Sequence, residues 1–215
     1  MRPRSILGEG NSGFAVSRTA RRWSIAGWLV GAVVLIASAA ALLVYTGVYN
    51  VAADIPHSSP VYWLLQTTRQ RSIAVRARDV AIPPDLDDRK RIASGAAEYH
   101  EMCSGCHLAP GMERTEISRG LYPRAPELRR RSQLTPPEEF WVVKHGIKAT
   151  GMPAWGVTHS DELLWDIVAF LRKLPELTPD QYQALVKSSQ KTHEEGMRGM
   201  EMDDDSDDQF HQKLH

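Results

Sequence analysis

Cysteine is almost missing from this chain: there are two in 215 residues, in the same short stretch. That excludes a disulfide framework tying distant segments together and leaves a local chemical motif. Neither sign of charge is in excess, with 26 Lys plus Arg against 26 Asp plus Glu, so the whole-chain balance gives no reason to expect nucleic acid as a partner. No segment alternates apolar and polar residues as a half-buried strand requires, and the fold class expected is all-α. Long apolar runs are absent but for one. At 42% hydrophobic and 24% charged residues, the chain belongs with neither disordered nor wholly membrane-embedded sequences.

The one long run is WSIAGWLVGAVVLIASAAALLVY, from Trp23 to Tyr45, and it carries no charge. A hydrocarbon core takes about 20 residues of helix, which this run supplies. Trp23, Trp28, Tyr45 and Tyr49 sit near its ends, where amphipathic rings favour the interface, and Gly27 and Gly31 are tolerated in such helices. Residues 1–22 form a basic tail, with Arg2, Arg4, Arg18, Arg21 and Arg22 against Glu9. The positive-inside rule therefore puts the N-terminus in the cytoplasm and the chain beyond the span on the other side. Ala37 and Ala39 make the A-x-A pattern of a cleaved signal peptide, but such peptides have apolar cores of about 7–15 residues. An uncleaved transmembrane helix over 23–46 is the expectation.

Residues 47–86 read as a juxtamembrane connector. Ser59 followed by Pro60 is a helix start, and the stretch to Ala77 is basic, with Arg69, Arg71, Arg76 and Arg78, and has Tyr62, Trp63, Leu64 and Leu65 at one end. Such a helix can lie in the membrane interface or pack on a protein surface, and the sequence leaves both open. Pro83 and Pro84 end the connector and open a soluble domain expected over 87–185. There, Asp88 to Met102 predicts a helix leading into the cysteines. Thr135 caps a helix begun by Pro136 and stopped by Gly146, and Ser160 caps DELLWDIVAFLRKL, closed by Pro175. Leu163, Leu164, Ile167, Val168, Leu171 and Leu174 recur at helical spacing and predict one buried face. A last short helix starts near Thr178, and residues 186–215 are expected to be a flexible acidic tail.

The cysteines fall in CSGCH, Cys103 to His107. This is the attachment pattern of c-type haem, in which two thiols add to the porphyrin vinyls and the adjacent imidazole reaches the iron. The spacing puts both thiols on one side of a helix end, within reach of one macrocycle edge. A disulfide redox pair would want a βαβ context, and a zinc site would want further good ligands, which the sequence does not offer. One haem c, covalently bound, is the cofactor expected. For the second axial ligand the downstream candidates are Met112, His145, Met152 and His159. Met152, in the loop sequence ATGMPAWG, is favoured because a methionine there has no helical core face to serve. His145 is the runner-up, with a plainer role at a helix C-terminus, and Met112 stands close enough to the cysteines to pack instead. The carbonyl of Pro110 or a neighbour is expected to accept the His107 Nδ1 proton. Tyr99, Trp141, Trp155, Trp165 and Phe170 wall a haem or fill the core, and Gly95 and Tyr99 are placed to receive the last helix closely.

Through GVYNVAADIPH, GAAEYHEMCSGCHLAPG, GLYP, FWVVKHGIKATGMPAWG and ELLWDIVAFLRKLP the sequence resembles the class I cytochrome c family, and within it membrane-anchored monohaem cytochromes of proteobacteria. The resemblance implies a small helical cytochrome c fold, His107 and Met152 as iron ligands, and Cys103 and Cys106 as thioether anchors. Leu108 departs from it, standing where many relatives have glycine. The function expected is electron transfer rather than catalysis, on the periplasmic face of a bacterial inner membrane, between a redox donor and an acceptor that the resemblance does not identify.

Two alternatives are weighed beside it. An enzyme or gas sensor needs an open iron position, which Met152 would fill. Copper handling would use His193, Met197, Met200, Met202, His211 and His215 in the tail, where a solvated acidic segment, or one whose Asp203–Asp208 acids dock on a basic patch, is the plainer account. Lys144, Lys148 and Arg129–Arg131 either steer an acidic partner or are merely solvated. His57 is expected to be an ordinary polar residue.

Overall fold

The computed structural model describes residues 18–130 and 132–190, and among them every regular element is helical. Arg131, the first seventeen residues and the tail from 191 onward, with its methionines, histidines and aspartates, lie outside the described residues. The chain divides into two compact units at Val51/Ala52.

The first unit is built on helix α1, Arg18–Tyr45, whose Ile25–Tyr45 stretch of 21 residues is apolar enough to cross a membrane and has no part buried by protein. At 1.5 Å per residue it spans roughly 32 Å, matched to a hydrocarbon core of about 30 Å. It is a candidate membrane anchor.

In the second unit, helix α2 runs Ser59–Arg76 with Ser58 as cap, one residue before the position expected. α3, Arg89–Glu98, starts where the Asp88 side chain accepts from Lys90 N. It does not continue as plain α-helix into the cysteines: Tyr99–Cys103 form a π-helical turn, followed by α4, Ser104–His107. Helix α5, Glu116–Gly120, has no counterpart in the sequence-based expectations, although Thr115 caps it by accepting from Ser118 N. α6 is Pro136–His145, with Glu138 reaching back to the backbone N–H of its cap Thr135 (2.8 Å) and Gly146 ending it at φ 63°. α7 is Asp161–Lys173, capped by Ser160, and α8 covers 179–190, its first turn tied by Thr178 and Gln181.

α7 is the centre of this unit. Leu164, Ile167, Val168 and Leu174 are buried as the periodicity requires, while Leu163 and Leu171 are only partly so. Trp165, Ala169 and Phe170 are buried as well, because α7 is packed on more than one side. One cluster joins it to α6 through Phe140, Val143 and Trp165, the Phe140 and Trp165 rings stacked at 4.3 Å. The other joins Phe170 to Tyr99 on the π turn and to Tyr182 on α8. α8 carries Val186 and Ser189 into the core, so order persists beyond the boundary expected at residue 185.

α3 and α7 cross at Gly95. A Cβ there would stand 1.9 Å from the Asp166 carbonyl oxygen, so only glycine permits the crossing. Beside it, Arg91 reaches Asp166 (2.7 Å) and Asp85 (2.9 Å) and ties the two helices at the surface. Glu139 on α6 is the one charged residue that the fold takes fully inside among the described residues, at 4% exposure. Its Oε2 lies 3.6 Å from Arg172 and has no hydrogen-bond partner. Burial raises its pKa, against the opposing pull of Ser132 and Arg172.

This packing makes two substitutions informative. Gly95→Ala is expected to cost at least about 3 kcal/mol, because backbone and not a flexible side chain must yield; thermal unfolding followed by circular dichroism should show a large drop, and a near-native midpoint would sink the close-crossing account. For Glu139 the folded-state pKa lies above its usual 4.5, so its contribution is fully present below that pH and is lost as pH rises through the folded value. Glu139→Gln should therefore match wild type in acid and exceed it at neutral pH. A pH series of denaturation midpoints checks this, and an offset constant with pH would contradict it.

Candidate functional site

The CSGCH segment is held by its backbone. The buried Tyr99 hydroxyl, on the π turn, donates to Leu108 O (2.5 Å), Ser104 Oγ to His100 O (2.6 Å), and Thr115 Oγ1 to Gly105 O (2.5 Å). The π turn adds one residue to the helix just before the cysteines, so it changes which face Cys103 and His107 present. Sequence reasoning had no signal for it, since no glycine or proline marks the spot.

His107 is gripped twice by the segment 126–128. Its Nδ1 lies 2.8 Å from Pro126 O, and its own carbonyl accepts from Leu128 N at 3.3 Å. A carbonyl only accepts, so Nδ1 carries the proton and Nε2 keeps its lone pair. Burial lowers the pKa of the ring, with the Pro126 bond opposing, and this favours the neutral imidazole that ligation needs. The acceptor is thus Pro126 and not Pro110 or its neighbours; it comes from a stretch far along the chain, which local spacing does not reveal.

Leu108 takes φ 61° and ψ 171°, a backbone region that glycine enters freely and leucine does not. Leucine thus stands at a position whose backbone glycine would adopt more freely. The Leu108 side chain is 3% exposed, so its burial offsets the backbone cost.

Cys103 is buried in the cluster of Tyr99, Ala109, Phe170 and Tyr182, whereas Cys106 is partly exposed, and the two thiols are not joined to each other. Burial, then the neighbouring Cys106 and Glu98, push the Cys103 thiol up to about 12. Such a thiol is a poor thiolate donor, which disfavours a disulfide-exchange pair. Among the described residues no cluster of three or more His, Cys, Asp or Glu is arranged for a metal ion, so a zinc site gains no support either. The neutral, pre-oriented imidazole beside two unpaired thiols fits a covalent haem.

Met152 lies where expected, in the loop between α6 and the short 3₁₀ turn Trp155–Val157, and is partly buried. Its N–H donates to Thr150 Oγ1 (3.1 Å) and its carbonyl accepts from Ile147 N (3.3 Å). Gly146 lets this loop close: a Cβ there would meet Met152 O and the Pro153 carbonyl at 2.7 Å. Leu121, of the GLYP stretch, presses on Gly151 from the other side. Met112 packs into the α7–α8 core, His145 is exposed against Trp141, and His159 Nδ1 faces Trp155 O and Thr158 Oγ1.

Of the aromatic candidates, Tyr99, Trp165 and Phe170 fill the core, while Trp141 and Trp155 are partly exposed. Lys144 pairs with Asp161 (2.7 Å), and Arg129 and Arg130 pair with Glu127, so these cations are structurally engaged. His57 proves more than an ordinary polar residue: its ring meets the Tyr122 ring edge-on at 5.2 Å, and its backbone N–H donates to Tyr122 Oη (2.8 Å), fastening the connector to the GLYP stretch.

Leu108 supplies a sharp test of this geometry. Leu108→Ala loses buried area and keeps the unfavourable backbone, for a loss of about 2–4 kcal/mol. Leu108→Gly removes the same side chain and relieves the backbone, so it should be the more stable of the two by about 1 kcal/mol, the reverse of the usual alanine-over-glycine order. Denaturant unfolding of both variants decides, and alanine coming out ahead would refute the assigned backbone conformation.

Residues 90–171 match the protein-family model described as cytochrome C oxidase, cbb3-type, subunit III. No curated protein matches the chain.

Proposed function

We propose that this chain, whose residues 90–171 are a class I c-type cytochrome domain with covalently bound haem c, serves as a membrane-anchored carrier of single electrons, with His107 and Met152 as axial ligands. Cys103 and Cys106 are the thioether anchors in this reading, and with only two cysteines the chain has attachment residues for one haem. The observation that carries it is the His107 ring, with Nδ1 2.8 Å from Pro126 O so that Nε2 is left for iron.

When bound, the haem supplies a one-electron couple whose potential a thioether ligand raises relative to a second imidazole. The protein's part is to hold and shield. Pro126 fixes the tautomer and angle of His107, and the buried Tyr99, Phe170 and Tyr182 pack with Cys103 and exclude water there. Thr150, Ile147 and Gly146 tie down the Met152 loop. With His107 and Met152 held in this way, ligation of a haem iron by both would need little rearrangement on a change of charge, which suits electron transfer.

The apolar Ile25–Tyr45 helix supports confinement to a membrane, and the arginines before it support a cytoplasmic N-terminus with the haem domain in the periplasm. The description of the matched family as an oxidase subunit supports a terminal oxidase as electron acceptor, with a dehydrogenase or respiratory complex as donor.

Optical spectra of oxidised and reduced protein test the ligation. Wild type should show the weak iron–thioether charge-transfer band in the red and ignore carbon monoxide. Met152→Ala should lose the band, bind the gas and fall in potential by about 0.1 V or more, within the wide range that axial ligands command. A wild type without the band that binds carbon monoxide would reject Met152 as ligand and put a sensor or enzyme ahead.

A further inference from the structure

The first two turns of α2 are apolar on every side. Val61, Tyr62, Trp63, Leu64 and Leu65 come one after another, and four are open to solvent: Tyr62 at 47%, Trp63 at 67%, Leu64 at 58% and Leu65 at 47%. The C-terminal half of the same helix buries Ile73 with the adjacent Ala77, and α2 packs on α6. It is therefore a firm part of the haem domain whose N-terminal end protrudes unburied.

We infer that this end of α2 sits in the membrane interface, with Trp63, Leu64 and Leu65 among the upper acyl chains and the arginines after them at the level of anionic headgroups. The inference rests on the reading of Ile25–Tyr45 as a membrane span. Three observations favour lipid over a protein partner. Successive residues on a helix are turned by about 100°, so Trp63, Leu64 and Leu65 point in three directions. A protein groove takes one stripe at three- and four-residue spacing, whereas an isotropic apolar medium takes the whole circumference.

Charge is the second. From Ser59 to Arg78 there is no acidic residue, while Arg69, Arg71, Arg76 and Arg78 are all present. Among the described residues none of these four takes part in an ion pair; Arg69 bonds to Gln66 and Arg76 to Ser72. A run of unopposed arginine beside exposed tryptophan and tyrosine suits anionic headgroups next to the aromatic belt. Along the axis Trp63 and Arg71 are separated by roughly 12 Å, so with the N-terminal end downward the arginines stay at the surface while Trp63 enters to the 5–10 Å of interfacial helices.

Reach is the third. The span ends at Tyr45 and α2 begins at Ser59, and the intervening residues 46–58 cover at most about 45 Å when extended. A connection of that length lets the helix reach the bilayer that α1 would span. Seated there, it would limit tumbling of the haem domain and present a constant face to partners in the same membrane.

Depth-resolved quenching tests this on the full, haem-loaded chain in nanodiscs of phosphatidylcholine and phosphatidylglycerol. With both native thiols taken up by haem, Leu64→Cys carries the only thiol and accepts an environment-sensitive fluorophore. Val34→Cys in α1 and Gln183→Cys on exposed α8 serve as references. Nitroxide placed on the acyl chains should quench the Leu64 site about twofold or more while aqueous iodide does little, with Gln183 showing the reverse. If Leu64 behaves like Gln183 while Val34 is quenched by lipid, the anchor stands and this inference falls. If Val34 also escapes lipid quenching, the anchor reading falls and takes this inference with it.

Discussion

The CSGCH end of the domain hangs on the contact of α3 with α7 at Gly95. Because the Asp166 carbonyl occupies the place of a Cβ, the two helices approach more closely than side chains allow, and their relative position is set by backbone against backbone. α3 carries the π turn and CSGCH beyond it, and α7 carries the residues that fill the interior. Phe170 then meets Tyr99 at 5.3 Å, and the Tyr99 hydroxyl reaches over to Leu108 O. The position of the attachment motif is thus inherited from a crossing earlier in the chain.

Around the motif the chain uses carbonyl acceptors rather than charges. Leu108, Gly105, His100 and Pro126 each offer a carbonyl to a hydroxyl or to the imidazole. In a buried setting this is the less costly choice, because neutral hydrogen bonds satisfy polar groups without bringing an ion into low dielectric. Leu108 accepts an unfavourable backbone together with a buried side chain. Glu139 is the exception to this avoidance of charge, and its raised pKa is the physical sign of it.

The connector is more than a tether. Its His57 is fastened to Tyr122, next to Leu121, which presses on Gly151 in the Met152 loop. α2 joins the same domain through α6. Segments that the sequence presents as a link between membrane and domain are therefore integrated with the domain, and α8 does the same from the other end by packing Pro179 against Gly111 and burying Tyr182 beside His100.

Much here was legible from residues alone. The all-helical class, the apolar span, the caps at Thr135 and Ser160 and the stop at Gly146 rest on local rules: caps satisfy backbone donors within a few residues, and a 3.6-residue period marks a buried face. The CSGCH motif and the loop position of Met152 are equally local, since attachment chemistry depends on spacing within one turn. What the sequence could not decide is what long-range packing creates. Pro126 becomes the partner of His107 only because two distant segments are pressed together. The π turn arises where α3 must meet both α7 and the motif. Leu108 takes up a glycine-favoured backbone with its carbonyl held by Tyr99, and His57 meets Tyr122 where the connector folds back. By itself the sequence determined which chemistry the chain can carry, because that chemistry lies within a few adjacent residues. The tertiary structure alone decided how each group is aimed, because aim is set by contacts between residues far apart in the chain.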